Sequence, residues 1–314
     1  MRLVAHQATF APTDLARFSE NPYVTWMERL HLEQPGRVTP DEDSDELRII
    51  AGLGLEHERA FLDRLRADGR QVLTVTDRGP LDERAATTEV ALRAGQDVVY
   101  QGALAGVPFA GLADFLVRVP HPSDLGHWSY EVWDTKLARK ARPYFLVQLC
   151  CYAEILESLQ GRRPEHVRVI TGDGRRRSFR TDDAFYYYRT VKDAFLAQQR
   201  TFDPDSPPEP LREGRNGRWE TEAARWLEAT DHLSLVADIR SDQIAKLRSA
   251  GVETREALAE LPDGAMVPRL RAGTLAKLRH QARLQVESDD RERPLYEVVR
   301  ATEDDPRRGL ALLP

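Results

Sequence analysis

Residues 95–136 constrain this chain more than any other segment. GQDVVYQGALAGVPFAGLADFLVRVP reads as two strands joined at Ala105–Gly106, the second running Phe109–Val119. WSYEVWDTK alternates apolar and polar residues as a half-buried strand. Pro143 is a favourable first helical residue and opens a helix to about Leu159. HVRVITGDGRRRSFR is a hairpin with its turn near Asp173–Gly174. Upstream, Leu47, Ile50, Gly54, His57, Phe61 and Leu65 recur at a helical spacing of three or four. The order of helix, two strands, strand, helix and hairpin predicts an α/β fold, a mixed sheet flanked by helices.

With 314 residues the chain is expected to form two packed units. The seam is the run DPDSPPEP followed by LREGRNG, which sets residues 1–200 apart as an α/β domain and 201–218 as a linker. Residues 219–290 read as a small all-α domain around the helix–Gly–helix phrase KLRSAGVETREALAEL, and 291–314 as a tail. In that phrase Gly251 suits a left-handed helix end and Thr254 the N-cap of the next helix. A further helix spans Thr274–Gln285. Such hairpins hold DNA backbone or serve as plain interaction modules.

The apolar runs are too short and too charged to form a transmembrane helix, and the N-terminus lacks a signal-peptide pattern. Cys150 and Cys151 are adjacent and can make neither a disulfide framework nor a four-ligand metal site. Cytoplasmic, reducing surroundings and no membrane partner are the expectation. A net charge of −6 argues against a chain that coats nucleic acid over its whole surface. Basic residues are nonetheless clustered: Lys136, Arg139, Lys140 and Arg142; then seven arginines between 162 and 180; then an acid-free stretch over 269–283. They form a polyanion track if the fold gathers them on one face, and solvated arginine faces otherwise.

The candidate chemistry lies on the strands. Asp134 and Lys136 are two apart and share a face, and Asp114 sits among apolar residues of a central strand. Two carboxylates beside a lysine suit a hard divalent ion, Mg²⁺ or Mn²⁺, with the Thr135 carbonyl as a further ligand. Lys136 would orient the attacking water or stabilise charge developing on phosphorus. An ordinary exposed Asp–Lys pair gives the same pattern. His57 lies on its helix's apolar stripe, one turn after Gly54, which leaves room for an approaching group; a core histidine bonded to backbone is the alternative. Gln148 and Tyr152 are four apart, on one helical face, placed to contact a phosphate or base or to pack at the sheet edge.

Gly54-x-x-His57, Gly111-x-x-Asp114, Asp134-x-Lys136 and Gln148-x-x-x-Tyr152, in this order, resemble the RecB-type branch of the PD-(D/E)xK nucleases over roughly residues 10–200. The resemblance implies a restriction-endonuclease-like core. His57, Asp114 and Asp134 are then similar to the metal ligands, Lys136 to the catalytic lysine, and Gln148 and Tyr152 to a motif that positions DNA. Asp114, Asp134 and Lys136 would carry catalysis, with Arg139 and Lys140 as further DNA contacts. The wording of LADFLVRVP and QLCCYAEIL is close to a bacterial subgroup in which a helical hairpin region, an RNase H-like domain and a superfamily 1 helicase follow the nuclease. The segment DHLSLVADIRSDQIAKLRSAGVETREALAEL resembles that helix-hairpin-helix-like region. GLALLP falls about where the next domain would begin, so a fragment of a longer protein is one expectation, with helicase and RNase H-like domains as partners in cis or in trans. Many relatives staple the nuclease with an iron–sulfur cluster; FSENPYVTWM and PPEPLREGRNGRWETEAARW contain no cysteine, so no cluster is expected. The reading is a DNA nuclease acting in repair or in defence against foreign DNA. Its rival is a nucleic-acid-binding or scaffold module that is inactive in isolation.

Overall fold

The computed structural model of the chain describes residues 1–4, 7–75, 78–212, 214–289 and 291–297. By its internal packing the chain divides into two units, residues 1–211 with 215–219, and the remainder.

The first unit begins with a ribbon of β1 (Arg2–Val4) and β2 (Gln7–Thr9), then α1 (Pro12–Glu20) and α2 (Pro22–Glu33). Next come α3 (Asp45–Ala67), β3 (Val72–Thr74), α4 (Leu81–Arg93), β4 (Val98–Gly106), β5 (Phe109–Val119) and β6 (Ser129–Lys136). It closes with α5 (Pro143–Gln160), β7 (His166–Thr171), β8 (Arg176–Arg180) and α6 (Thr181–Arg200). Strands β3 to β8 form one six-stranded sheet in chain order. The β3/β4 and β6/β7 pairs are parallel and the others antiparallel. Each parallel pair is bridged by a helix, α4 or α5, because a tight turn cannot join parallel strands. The chain is thus α/β, a mixed sheet flanked by helices.

Strand alternation sorts the core into two faces. Val98, Phe115, Val117, Trp133 and Ile170 pack on Phe61, Leu62 and Leu65 of α3. Val99, Leu116, Tyr130, Val132, Val167 and Val169 point the other way, into a larger core with α5 and α6. Helix α5 starts at Pro143 and ends on Gly161, whose φ of 65° gives the left-handed end that a side chain would resist. The β4–β5 hairpin turns at Val107–Pro108, just past the expected Ala105–Gly106, because β4 keeps pairing through Gly106↔Phe109. The stripe on α3 also differs from expectation. Phe61 and Leu65 are buried, but Leu47 and Ile50 are 55% and 47% exposed, since the strands offer apolar partners only to the helix's second half.

The segment expected as a linker lies against the first unit. Arg37 pairs with Asp205 at 2.6 Å, and the Asn21 amide donates to the Arg215 carbonyl at 2.9 Å. Arg218 pairs with Glu28 at 2.5 Å, and Trp219 is fully buried. A buried indole whose N–H donates to Glu28 anchors the strap, a contact that proline-rich composition does not foretell.

The second unit is helical: α7 (Glu220–Ala229), α8 (Ser241–Ser249), α9 (Arg255–Ala259) and α10 (Ala272–Val286). Leu233, Leu247, Leu258, Leu275 and Leu278 form part of its own core. Gly251 ends α8 with φ 82°, and the Thr254 hydroxyl caps α9 by accepting from the Ala257 N–H at 3.1 Å. Residues 298–314 of the expected tail lie outside the described residues. Among the described residues no helix is long and apolar enough to cross a membrane.

Candidate active site

Strands β5 and β6 pair from Val119↔Ser129 to Phe115↔Trp133, and their ladder stops one position short of Asp114 and Asp134. Beyond that point β6 stays with β7 as far as Lys136↔Thr171, while β5 stays with β4 as far as Phe109↔Gly106. The sheet forks, and the two aspartates stand at the fork. Asp134 and Lys136 follow Tyr130 and Val132 onto the α5 face, where the Lys136 ammonium lies 5.7 Å from the centre of the Phe145 ring.

Charge at the fork is unbalanced. Asp134 is 3% exposed, and its Oδ2 lies 2.6 Å from Lys136 Nζ. Asp114, partly open to solvent, accepts from the Thr135 N–H at 3.1 Å and from the Thr135 hydroxyl at 3.3 Å. Burial first, then the neighbouring Asp134 carboxylate, push the Asp114 carboxyl up to about 7. Burial raises Asp134 as well, against the pull of Lys136. For Lys136, burial works against the charge, but the two carboxylates outweigh it and hold the ammonium above the usual lysine range. Asp134 Oδ2 is fully buried and accepts no well-aligned hydrogen bond among the described residues, although the ammonium is close. One lysine faces two carboxyls, so the fork is short of positive charge.

A third carboxyl comes from the opposite side of the sheet. Glu58 of α3 has its pKa raised by burial and then by Asp114. Tyr100 neighbours Glu58, and burial followed by that carboxylate pushes the phenol up to about 12. The Gln101 amide also donates to Glu58 Oε1. The β4–β5 ladder runs through Tyr100↔Phe115 and Gly102↔Ala113 but leaves out Gln101 and Asp114 between them. Sequence reading missed Glu58, Tyr100 and Gln101. Glu58 adjoins His57, and that adjacency on α3 was the one available signal.

The expected site residues separate into groups. Asp114, Asp134, Lys136 and Thr135 come together, with Thr135 meeting Asp114 through its amide and hydroxyl. His57 Nε2 is 3.3 Å from the carbonyl of Ile170, the β7 residue that pairs with Thr135, which is the backbone contact of its alternative reading. A Cβ at Gly54 would meet nothing within 4 Å, so that helix surface is open. Tyr152 is buried and donates to the Leu112 carbonyl at 2.6 Å, which fixes β5 two residues before Asp114. Gly111 admits that contact, since a Cβ there would lie 2.7 Å from the Tyr152 hydroxyl and 2.9 Å from Pro12 Cδ. Gln148 shares the buried face of α5 at 8% exposure. Arg139 and Lys140 are exposed in the loop after Lys136. Among the described residues no group of three or more His, Cys, Asp or Glu side chains is arranged to hold a metal ion. Cys150 and Cys151 are free and buried on α5.

Compared with protein-family models and with curated proteins, the chain matches none.

Proposed function

We propose that the chain is a metal-dependent DNA nuclease with a RecB-type, restriction-endonuclease-like core. The observation that carries this reading is the convergence of Asp114, Asp134 and Lys136 where β5 and β6 part, with Glu58 reaching in from α3. The donor set fits a hard divalent cation: all-oxygen, rich in carboxyl groups, and with one buried oxygen, Asp134 Oδ2, lacking a well-aligned partner. Asp114 and Asp134 would hold Mg²⁺ or Mn²⁺, which supplies positive charge against the phosphate and makes water a better nucleophile. The protein's own part is positional. Thr135 orients the Asp114 carboxyl, Tyr152 fixes the strand that carries it, and Lys136 places a full positive charge where negative charge grows on phosphorus. Glu58, held by Gln101 beside the Tyr100 phenol, is a proton acceptor at the rim.

The test is cleavage of end-labelled single- and double-stranded DNA with Mg²⁺ or Mn²⁺, wild type against Lys136→Ala. Metal-dependent cleavage that falls about 100-fold or more in the variant supports the reading. A nucleic-acid-binding module without activity in isolation is the second reading. It is favoured by the contact of His57 Nε2 with the Ile170 carbonyl, which a metal-ligating nitrogen would have to give up, and retained DNA binding without cleavage would establish it.

A further inference from the structure

Two of the basic clusters, separate in sequence, meet at the fork's end of the sheet. The loop that follows Lys136 carries Arg139, Lys140 and Arg142, and the β7–β8 hairpin carries Arg175 and Arg177. Gly172 joins them: its N–H donates to the Ala138 carbonyl at 3.1 Å, and a Cβ there would stand 2.0 Å from the Leu137 carbonyl oxygen. Only a glycine lets the two backbones come this close. From the other side, Arg64 of α3 donates to the Gly174 carbonyl at 3.3 Å and braces the hairpin.

The charge of this surface is only partly neutralised internally. Arg139, Lys140 and Arg142 make no ion pair among the described residues. Arg175, 71% exposed, and Arg177 share one carboxylate, Asp173, at 3.5 and 3.9 Å. Arg176 is excluded from the group because it lies over the Trp133 ring, 5.1 Å from its centre. The amino end of α5 opens beside these loops with no acid in its first turn. Arginines on an edge strand also discourage edge-to-edge association, but that role cannot account for the three cations of the 137–142 loop, which is not a strand.

We propose that these two loops form one phosphate-backbone track that holds a nucleic-acid strand beside Lys136. The track rests on the nuclease reading for its purpose but not for its binding, which is measured without metal.

The experiment is anisotropy of a labelled single-stranded oligonucleotide in EDTA, over a series of salt concentrations, with the full chain. The variant R139Q/K140Q/R175Q/R177Q is expected to bind about tenfold more weakly or worse, with the salt slope reduced by about 3, roughly 0.7 for each phosphate no longer neutralised. R139Q/K140Q and R175Q/R177Q are each expected to give about half the change in slope, which covers the case of a four-site variant that folds poorly. A control with four exposed arginines removed elsewhere (R93Q, R189Q, R200Q, R225Q) is expected to keep the wild-type slope. Equal losses in control and variant would reduce the effect to net charge and overturn the track. Wild-type binding in the variants, aggregation with unchanged binding, or no binding by the wild-type chain would each overturn it too. Loss of binding in the variants from a wild type that never cleaves would uphold the track while sinking the nuclease reading.

Discussion

Gln101 holds Glu58 from a left-handed backbone, with φ 54°, at the one position where the β4–β5 ladder is interrupted opposite Asp114. That conformation costs a non-glycine residue about 1 kcal/mol, so a purely structural role would be served better by glycine. Gln101→Gly is therefore expected to leave stability unchanged or raise it by up to about 1 kcal/mol, while lowering cleavage by releasing Glu58. Urea melts and a cleavage assay of the same preparation check both halves. A variant as active as wild type would show that Glu58 needs no positioning by Gln101.

The surplus of carboxyls predicts a trade between stability and metal binding. Asp114→Asn keeps an acceptor for the Thr135 amide but removes one of two mutually opposed carboxyls. In EDTA at neutral pH the variant is expected to melt higher than wild type, by about 1 kcal/mol or more. Added Mn²⁺ is expected to stabilise wild type and leave the variant unmoved. Thermal melts with and without metal read both.

The contact between Gly111 and Tyr152 is steric and can be overfilled. Gly111→Ala is expected to cost about 1–3 kcal/mol, because the new methyl meets the Tyr152 hydroxyl and Pro12 together. Tyr152→Phe is expected to cost about 1 kcal/mol through the unpaired Leu112 carbonyl. If Tyr152 positions Asp114, the Phe variant also lowers turnover more than DNA affinity, and a split of kcat from KM measures this.

The adjacent thiols are expected to be chemically silent. Burial pushes both Cys150 and Cys151 up to about 12, so thiolate is scarce at any ordinary pH. Their labelling by a thiol reagent at pH 8 is expected to follow the unfolding rate. Labelling far faster than unfolding would show that α5 opens locally.

The strands, α5 and the helical hairpin were legible because each rests on short-range rules: alternation, Pro143 at a helix start, Gly251 and Thr254 at helix ends. Asp134 and Lys136 were legible for the same reason, two positions apart on one strand. Glu58 was not, since among Glu56, Arg59 and their neighbours it reads as one more polar helix residue, and its place depends on where α3 crosses the fork. Gln101 was hidden more deeply, because nothing local marks a glutamine for positive φ. His57 was legible only as to its face. Its stripe was real, but periodicity fixes a helical face without saying which residues on the sheet lie opposite. The strap before Trp219 shows it again, since prolines signal extension and not what the extended chain lies against.

Helix α3 is anchored by one end. Its second half is clamped through Phe61, Leu62 and Leu65, while its first half, with Leu47 and Ile50 largely in solvent, has Gly52 and Gly54 in place of stronger helix formers. Amide protons of the first three turns should therefore exchange with solvent long before those near Phe61, and Glu58 stands at the boundary between the two regimes. The third carboxyl of the fork is thus tied to the part of the helix that unfolds last, one turn from the part that unravels first.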